Sequence, residues 1–135
     1  MKYETLIIEK KEYKKLRSYL ENAHYGNDQV FKRAIGSLLN ELKTAKIVPE
    51  EEMPDDVVRF YSNVTIQTPF VNGITYQIVT PEESNLKENK ISILSPMALA
   101  LFGYAENDSI EWQFPNGINT LMIRKVAIET EKTTH

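Results

Sequence analysis

The sequence predicts an α+β protein: an N-terminal antiparallel helical hairpin (a short coiled coil), followed by a strongly bent antiparallel sheet with one helix on a face. Three observations predict it. Apolar residues between Tyr13 and Ala45 recur at spacings of three and four, the period of one helix face. From Asp55 onward the spacing falls to two, the period of a half-buried strand. Asn72–Gly73 and Pro115–Asn116–Gly117 then fall between alternating runs, where hairpin turns are made.

The first helix is carried by Tyr13, Leu16, Leu20 and Ala23, and the second by Phe31, Ile35, Leu38, Leu42 and Ala45. Each series is a seam with Lys, Arg and Glu on its outer face. His24–Tyr25–Gly26–Asn27–Asp28 separates them with turn formers, and Asp28 is placed to cap the second helix. So short a connection forces the helices antiparallel. Arms of roughly 14 and 19 residues at about 1.5 Å per residue reach only about 20–30 Å. The seam is small for a free-standing unit, so the pair is expected to lean on the C-terminal body. Val48–Pro49 ends the second helix, because the residue before a proline is pushed out of the helical region. Residues 1–49 are thus assigned to the arm and residues 50–135 to the body, with Glu50–Glu51–Glu52–Met53–Pro54 as an acidic linker.

In the body, Val57–Phe60 and Val64–Ile66–Thr68 read as alternating strands, and Ile74, Tyr76 and Ile78 alternate after the Asn72–Gly73 turn. Residues 81–89 are polar and loop-like. Ile91–Leu94 is a short strand, and Pro96–Phe102 is a short apolar helix closed by Gly103. Ile110, Trp112 and Phe114 alternate with polar residues, Pro115–Asn116–Gly117 turns the chain, and Thr120–Ile128 returns as a long strand. Glu129–His135 is expected to fray.

Composition narrows the function. With 135 residues and no cysteine, disulfides and thiolate zinc sites are excluded. No apolar run approaches the ~20 residues of a membrane helix, and Met1–Glu4 carries no secretory pattern, so a cytoplasmic location is expected. The net charge of −3 hides an asymmetry. Residues 9–46 hold nine basic and five acidic side chains, and residues 49–135 hold six and thirteen. A positive arm beside an acidic body suits docking on a polarised surface. It opposes tight direct DNA binding, which depends on phosphate neutralisation.

The run Ile91–Ser92–Ile93–Leu94–Ser95–Pro96–Met97–Ala98–Leu99–Ala100–Leu101–Phe102–Gly103 resembles the C-terminal-domain signature of the GreA/GreB superfamily. Asn107–Asp108 stands in the family's Gly-Asp place, Pro115–Asn116–Gly117 in its turn, and Tyr76–Gln77–Ile78–Val79 is similar to its Y-x-I-V strand. Glu51–Glu52–Met53–Pro54–Asp55–Asp56–Val57–Val58 is close to the linker of the short-armed branch of regulators of nucleoside diphosphate kinase (Rnk). The resemblance covers residues 49–129 well and the arm in outline. It implies an FKBP-like body behind a coiled-coil arm, docking on RNA polymerase at the rim of the secondary channel, with DNA reached only through polymerase. In the longer cleavage factors two acidic residues at the arm tip hold magnesium, for which hard carboxylate oxygens are suited.

The candidate polymerase contact is the strand-to-helix corner Leu94, Ser95, Pro96 and Met97. Its local chemistry is that of a helix start, with Ser95 as N-cap and Pro96 at the first helical position. Leu94 departs from the acid that cleavage factors can carry there. At the tip, His24, Tyr25, Asn27 and Asp28 are the candidates, and Asp28 brings the only carboxylate. No acidic pair occupies the turn, so transcript cleavage is not expected and the protein is read as a non-enzymatic regulator. Lys10, Lys14, Arg17, Lys32 and Arg33 form the candidate basic face, for contact with RNA or acidic channel walls, although a solvated surface explains them better. Trp112, Phe114, Tyr76 and Phe102 are expected in the core. His24 and His135 have no ligand-spaced partner, and no nucleophile triad or phosphate loop is present, so no catalytic, metal or cofactor site is assigned. A prolyl isomerase and a generic interaction module are the competing functional classes. Fold likeness alone is weak warrant for isomerase activity.

Overall fold

The computed structural model describes residues 1–24, 26–114 and 117–128, without the side chains of 113 and 114. Tyr25, the Pro115–Asn116 turn, the end from Glu129 to His135 and the expected core position of the Phe114 ring therefore lie outside the described residues. The chain forms β1 (Ile7–Glu9), α1 (Lys10–Glu21), α2 (Gln29–Leu42), β2 (Lys46–Val48), β3 (Ser62–Gln67), β4 (Asn72–Val79), β5 (Lys90–Ser92), α3 (Pro96–Leu101), β6 (Ser109–Phe114) and β7 (Gly117–Ile128). It is an α+β fold with one five-stranded mixed sheet, ordered β5-β4-β3-β7-β6, and a separate two-stranded ladder of β1 and β2.

Both N-terminal helices start at side-chain caps. The Glu9 carboxylate accepts from the Glu12 amide at 2.9 Å, and the Asp28 carboxylate accepts from the Phe31 amide at 3.0 Å. The seam residues Leu16, Leu20, Ile35, Leu38 and Leu42 are buried, and they enter the same core as Val58, Phe60, Ile78, Phe102 and Leu121. The apolar residues of both helices thus join the core of the body, with α2 packed against α3. Phe102 is buried, with Tyr76 and Trp112 packed at the edge of that core.

Four expectations are corrected. The second helix stops at Leu42, short of Val48, because Lys46–Val48 leaves it to pair in parallel with Ile7–Glu9. Ile47 and Val48 are β-branched and weak helix formers, so an available partner strand takes them. Val57–Phe60 is not a strand: among the described residues it makes one isolated bridge, Val57 to Ala105, and all four residues are buried without alternation. Asn72–Gly73 is not the hairpin turn. The turn is residues 68–71, where the Thr68 hydroxyl accepts from the Phe70 and Val71 amides at 3.0 Å each. Gly73, at φ 84, is the extra residue where the register slips from Ile66↔Ile74 to Gln67↔Asn72, a bulge that only glycine adopts without strain. Finally the sheet is mixed, since β5 joins β4 in parallel after a crossover through residues 80–89.

Gly103 closes α3 at φ 87 and lies against Leu6, whose Cβ would stand 3.1 Å from an added Cβ. That close approach brings the N-terminal segment onto the body, with the Ile7 amide donating to the Gly103 carbonyl at 3.4 Å.

Candidate functional site

The strand-to-helix corner is built as a helix start. The Ser92 hydroxyl accepts from the Leu94 amide at 2.9 Å, which turns the chain out of β5. The Ser95 hydroxyl then accepts from the Ala98 amide at 3.3 Å, and Pro96 occupies the first turn of α3. Leu94, Ser95, Pro96 and Met97 are all half-buried, and Leu94 and Met97 pack against the core. The corner is therefore a rigid, partly apolar rim. Its accessible surface is what remains of two packed side chains plus the proline ring.

The connection between α1 and α2 offers exposed His24, Gly26, Asn27 and Asp28. Its single carboxylate is already engaged, because the Asp28 side chain caps α2. No cluster of three or more His, Cys, Asp or Glu side chains placed to hold a metal occurs among the described residues.

The basic residues separate into two groups. Lys10, Lys14 and Arg17 follow a four-then-three spacing and lie on the outer face of α1. Lys10 and Lys14 are exposed, whereas Arg17 is tied to Glu21 one turn on, at 2.6 Å. Lys32 and Arg33 are exposed on α2 but, as adjacent residues, point about 100° apart. Lys15 faces the other way. Its ammonium lies over the Phe60 ring, 4.7 Å from the centroid, and is held by the body.

Sequence reasoning missed the group that seats α1. Arg59 is buried at 8% exposure, and its guanidinium grips the Glu12 carboxylate of α1 through Nε at 3.0 Å and Nη2 at 2.7 Å. The same guanidinium donates to both oxygens of Glu50, at 3.0 and 2.6 Å. The second oxygen of Glu12 accepts from the Phe60 amide at 3.1 Å. Burial pulls the Arg59 pKa down, but the Glu50 and Glu12 carboxylates outweigh it and the net shift is upward. The hydrogen bond from Arg59 holds Glu50 below its ordinary range. An arginine inside the apolar run Val57–Val58–Arg59–Phe60 was the available signal, since a charge there must be paired.

Further along α1, the Tyr19 hydroxyl donates to Glu82 at 3.2 Å. Beside it the Tyr61 hydroxyl donates to Glu83 at 2.5 Å, and the Thr80 hydroxyl donates to the same oxygen at 2.7 Å. Burial, followed by the Glu83 hydrogen bond, pushes the Tyr61 phenol up to about 12. Glu12, Lys15 and Tyr19 thus fix three successive turns of α1 to the body.

Comparison with known proteins gives a consistent neighbourhood. The family model described as "Transcription elongation factor, GreA/GreB, C-term" matches residues 53–128. The chain is 37% identical over 108 residues to transcription elongation factor GreA of Clostridium acetobutylicum, covering 76% of this chain and 68% of that one. It is 38% identical over 112 residues to the GreA of Buchnera aphidicola subsp. Cinara cedri, covering 78% and 70%. Among solved structures, the elongation factor GreA/GreB from Nitrosomonas europaea superposes with a TM-score of 0.73 at 29% identity, over 91% of this chain and 98% of that one. Gfh1 of Thermus aquaticus shares the fold at a TM-score of 0.50 and 23% identity, over 91% and 98%. No helix among the described residues is long and apolar enough to cross a membrane.

Proposed function

Because the chain belongs to the GreA/GreB family of transcription elongation factors, we propose that it is a cytoplasmic, Rnk-like regulator that docks on RNA polymerase and does not cleave transcripts. In this reading the body is FKBP-like, and its Leu94–Met97 corner meets the rim of the secondary channel. The stubby helical hairpin fills the channel mouth, and Gre-type cleavage factors are excluded by competition.

The observation that carries the reading is the state of Asp28. Cleavage support requires a pair of carboxylates free to hold magnesium, and a carboxylate committed to a helix cap has lost part of its capacity as a metal ligand. The inter-helix connection holds one carboxylate, and that one caps α2 at 3.0 Å. Helices of 12 and 14 residues span only about 18–21 Å. Such an arm occupies space at an entrance without delivering chemistry at depth. The clamp of Arg59 on Glu12 supports the same reading, because a blocking element works best at a fixed angle to the body that docks it.

The test is a transcription assay on backtracked complexes. Adding the protein in excess is expected to slow GreA-stimulated RNA cleavage in proportion to occupancy, and to cause no cleavage alone. Unchanged GreA-stimulated cleavage at saturating protein, or cleavage by the protein itself, would overturn the proposal. A Ser95→Ala/Pro96→Ala double variant is expected to lose co-purification with core polymerase.

A further inference from the structure

We infer that the outer edge of β6 is a second docking surface, which takes up an extended peptide of a partner protein as a sixth strand. This goes beyond polymerase docking through the corner and stands on different residues. β6 closes the sheet order and, among the described strands, is paired only with β7. A strand in that position presents a row of backbone donors and acceptors, and natural edges are usually covered, bulged or charged. Here the edge opens into a groove of about 500 Å³ between β6, α3 and α2.

The lining sets the chemistry of the occupant. Ile110 and Trp112 of β6, Val30 and Ala34 of α2, and Leu99 and Ala100 of α3 give the groove an apolar wall. Val30, in the first turn of α2, is an apolar side chain left 52% exposed. Arg33 stands on the same wall, exposed and with no ion-pair or hydrogen-bond partner among the described residues. Glu111 also lines the groove and is exposed, between two residues whose side chains point to the opposite face of the strand.

An extended segment fits these features and a helix does not. Strand addition satisfies the backbone row of β6, whereas a helix has already used its own N–H and C=O groups. A strand matching the six residues of β6 is about 20 Å long and turns every second side chain toward α2. The apolar wall calls for valine-like side chains at those positions, and Arg33 calls for one carboxylate among them. The alternate positions run beside Glu111, which favours lysine.

The only tryptophan of the chain, Trp112, reports on the groove directly. The probe is an acetylated and amidated eight-residue peptide with valine at alternate positions, one glutamate among the valines, and lysine and threonine between them. Titrated into the full chain, it is expected to shift Trp112 emission to the blue with a saturable curve. N-methylation of the amides on one edge of the peptide removes strand hydrogen bonds without changing side chains. It is expected to weaken binding on the order of fivefold per lost bond.

Arg33→Glu is expected to weaken this peptide and to strengthen one with lysine in place of the glutamate. Ser37→Phe, which adds bulk to the groove from an exposed position, is expected to abolish binding, with circular dichroism confirming the fold. No saturable shift, equal binding of the N-methylated peptide, or tighter binding of a helix-forming isomer of the same composition would each overturn the inference. Because the readout contains no polymerase, failure here leaves the proposed transcriptional role untouched, and the reverse.

Discussion

Ser95 shows how one hydroxyl serves the fold and leaves a defined surface. Its bond to the Ala98 amide starts α3, so Ser95→Ala is expected to cost about 1 kcal/mol in urea denaturation. Leu94 beside it packs against the core while half-exposed. The helix-start role of Ser95 and Pro96 and the cap at Asp28 were legible because capping depends on residue type and local spacing alone. Tyr61 was not legible. It sits at φ 69, and its phenol is pushed up to about 12 by burial and then by Glu83. A raised value means that the stabilisation is complete below the ordinary tyrosine value of 10.0 and is lost as pH climbs toward about 12. Glu83 carries the opposite sign: held low by the Tyr61 hydrogen bond, it contributes above its ordinary 4.5 and fails as pH drops through its lowered value. Thermal melts of wild type and Tyr61→Phe between pH 8 and 12 are expected to converge as pH rises, because only wild type loses this contribution.

At the scale of elements, α1 is seated by a charge that the body buries. The two partners of Arg59 differ in exposure, and this sets the ranking of their effects. The Glu12 side chain is 18% exposed and that of Glu50 is 67%. Arg59→Met leaves Glu12 with an unpaired charge in a poorly hydrated place, and is expected to cost about 3 kcal/mol. Glu50→Gln breaks an ion pair whose carboxylate is already wet, and is expected to cost less than about 1 kcal/mol. Urea denaturation of the two variants checks the order, and equal costs would refute the account. The pairing of Lys46–Val48 with Ile7–Glu9, and the bulge at Gly73, belong to this scale too. Asn-Gly signals a positive φ faithfully. Whether that φ makes a turn or a bulge is decided by the strand opposite.

For the whole molecule, the continuity of the core matters most. Leu16, Leu20, Ile35, Leu38 and Leu42 share one cluster with the sheet and α3, so the helix pair draws much of its burial from residues beyond 50. Short amphipathic helices lose most of their stability when the surface that covers their apolar stripe is removed. A peptide of residues 1–49 is therefore expected to show little helical circular dichroism at 25 °C. A cooperative melt of that peptide would show the arm to be an autonomous unit. If α1 is as firmly seated as its three body contacts require, amide exchange in α1 follows that of the core and is slower than exchange in residues 26–28.

By itself the sequence determined what is periodic or local: two amphipathic helices, an α+β class, the helix start at Ser95–Pro96, the caps, the charge asymmetry and the resemblance of residues 91–103. Tertiary structure alone decided what depends on partners distant in the chain: the parallel addition of β5, the strand at Lys46–Val48, the burial of Arg59 against Glu12, and the place of β6 at the end of the sheet. The physical reason is range. Side-chain spacing and capping act within a turn or two of the backbone, whereas pairing, burial and edge exposure are set by whichever segment arrives from elsewhere to satisfy or leave bare the same groups.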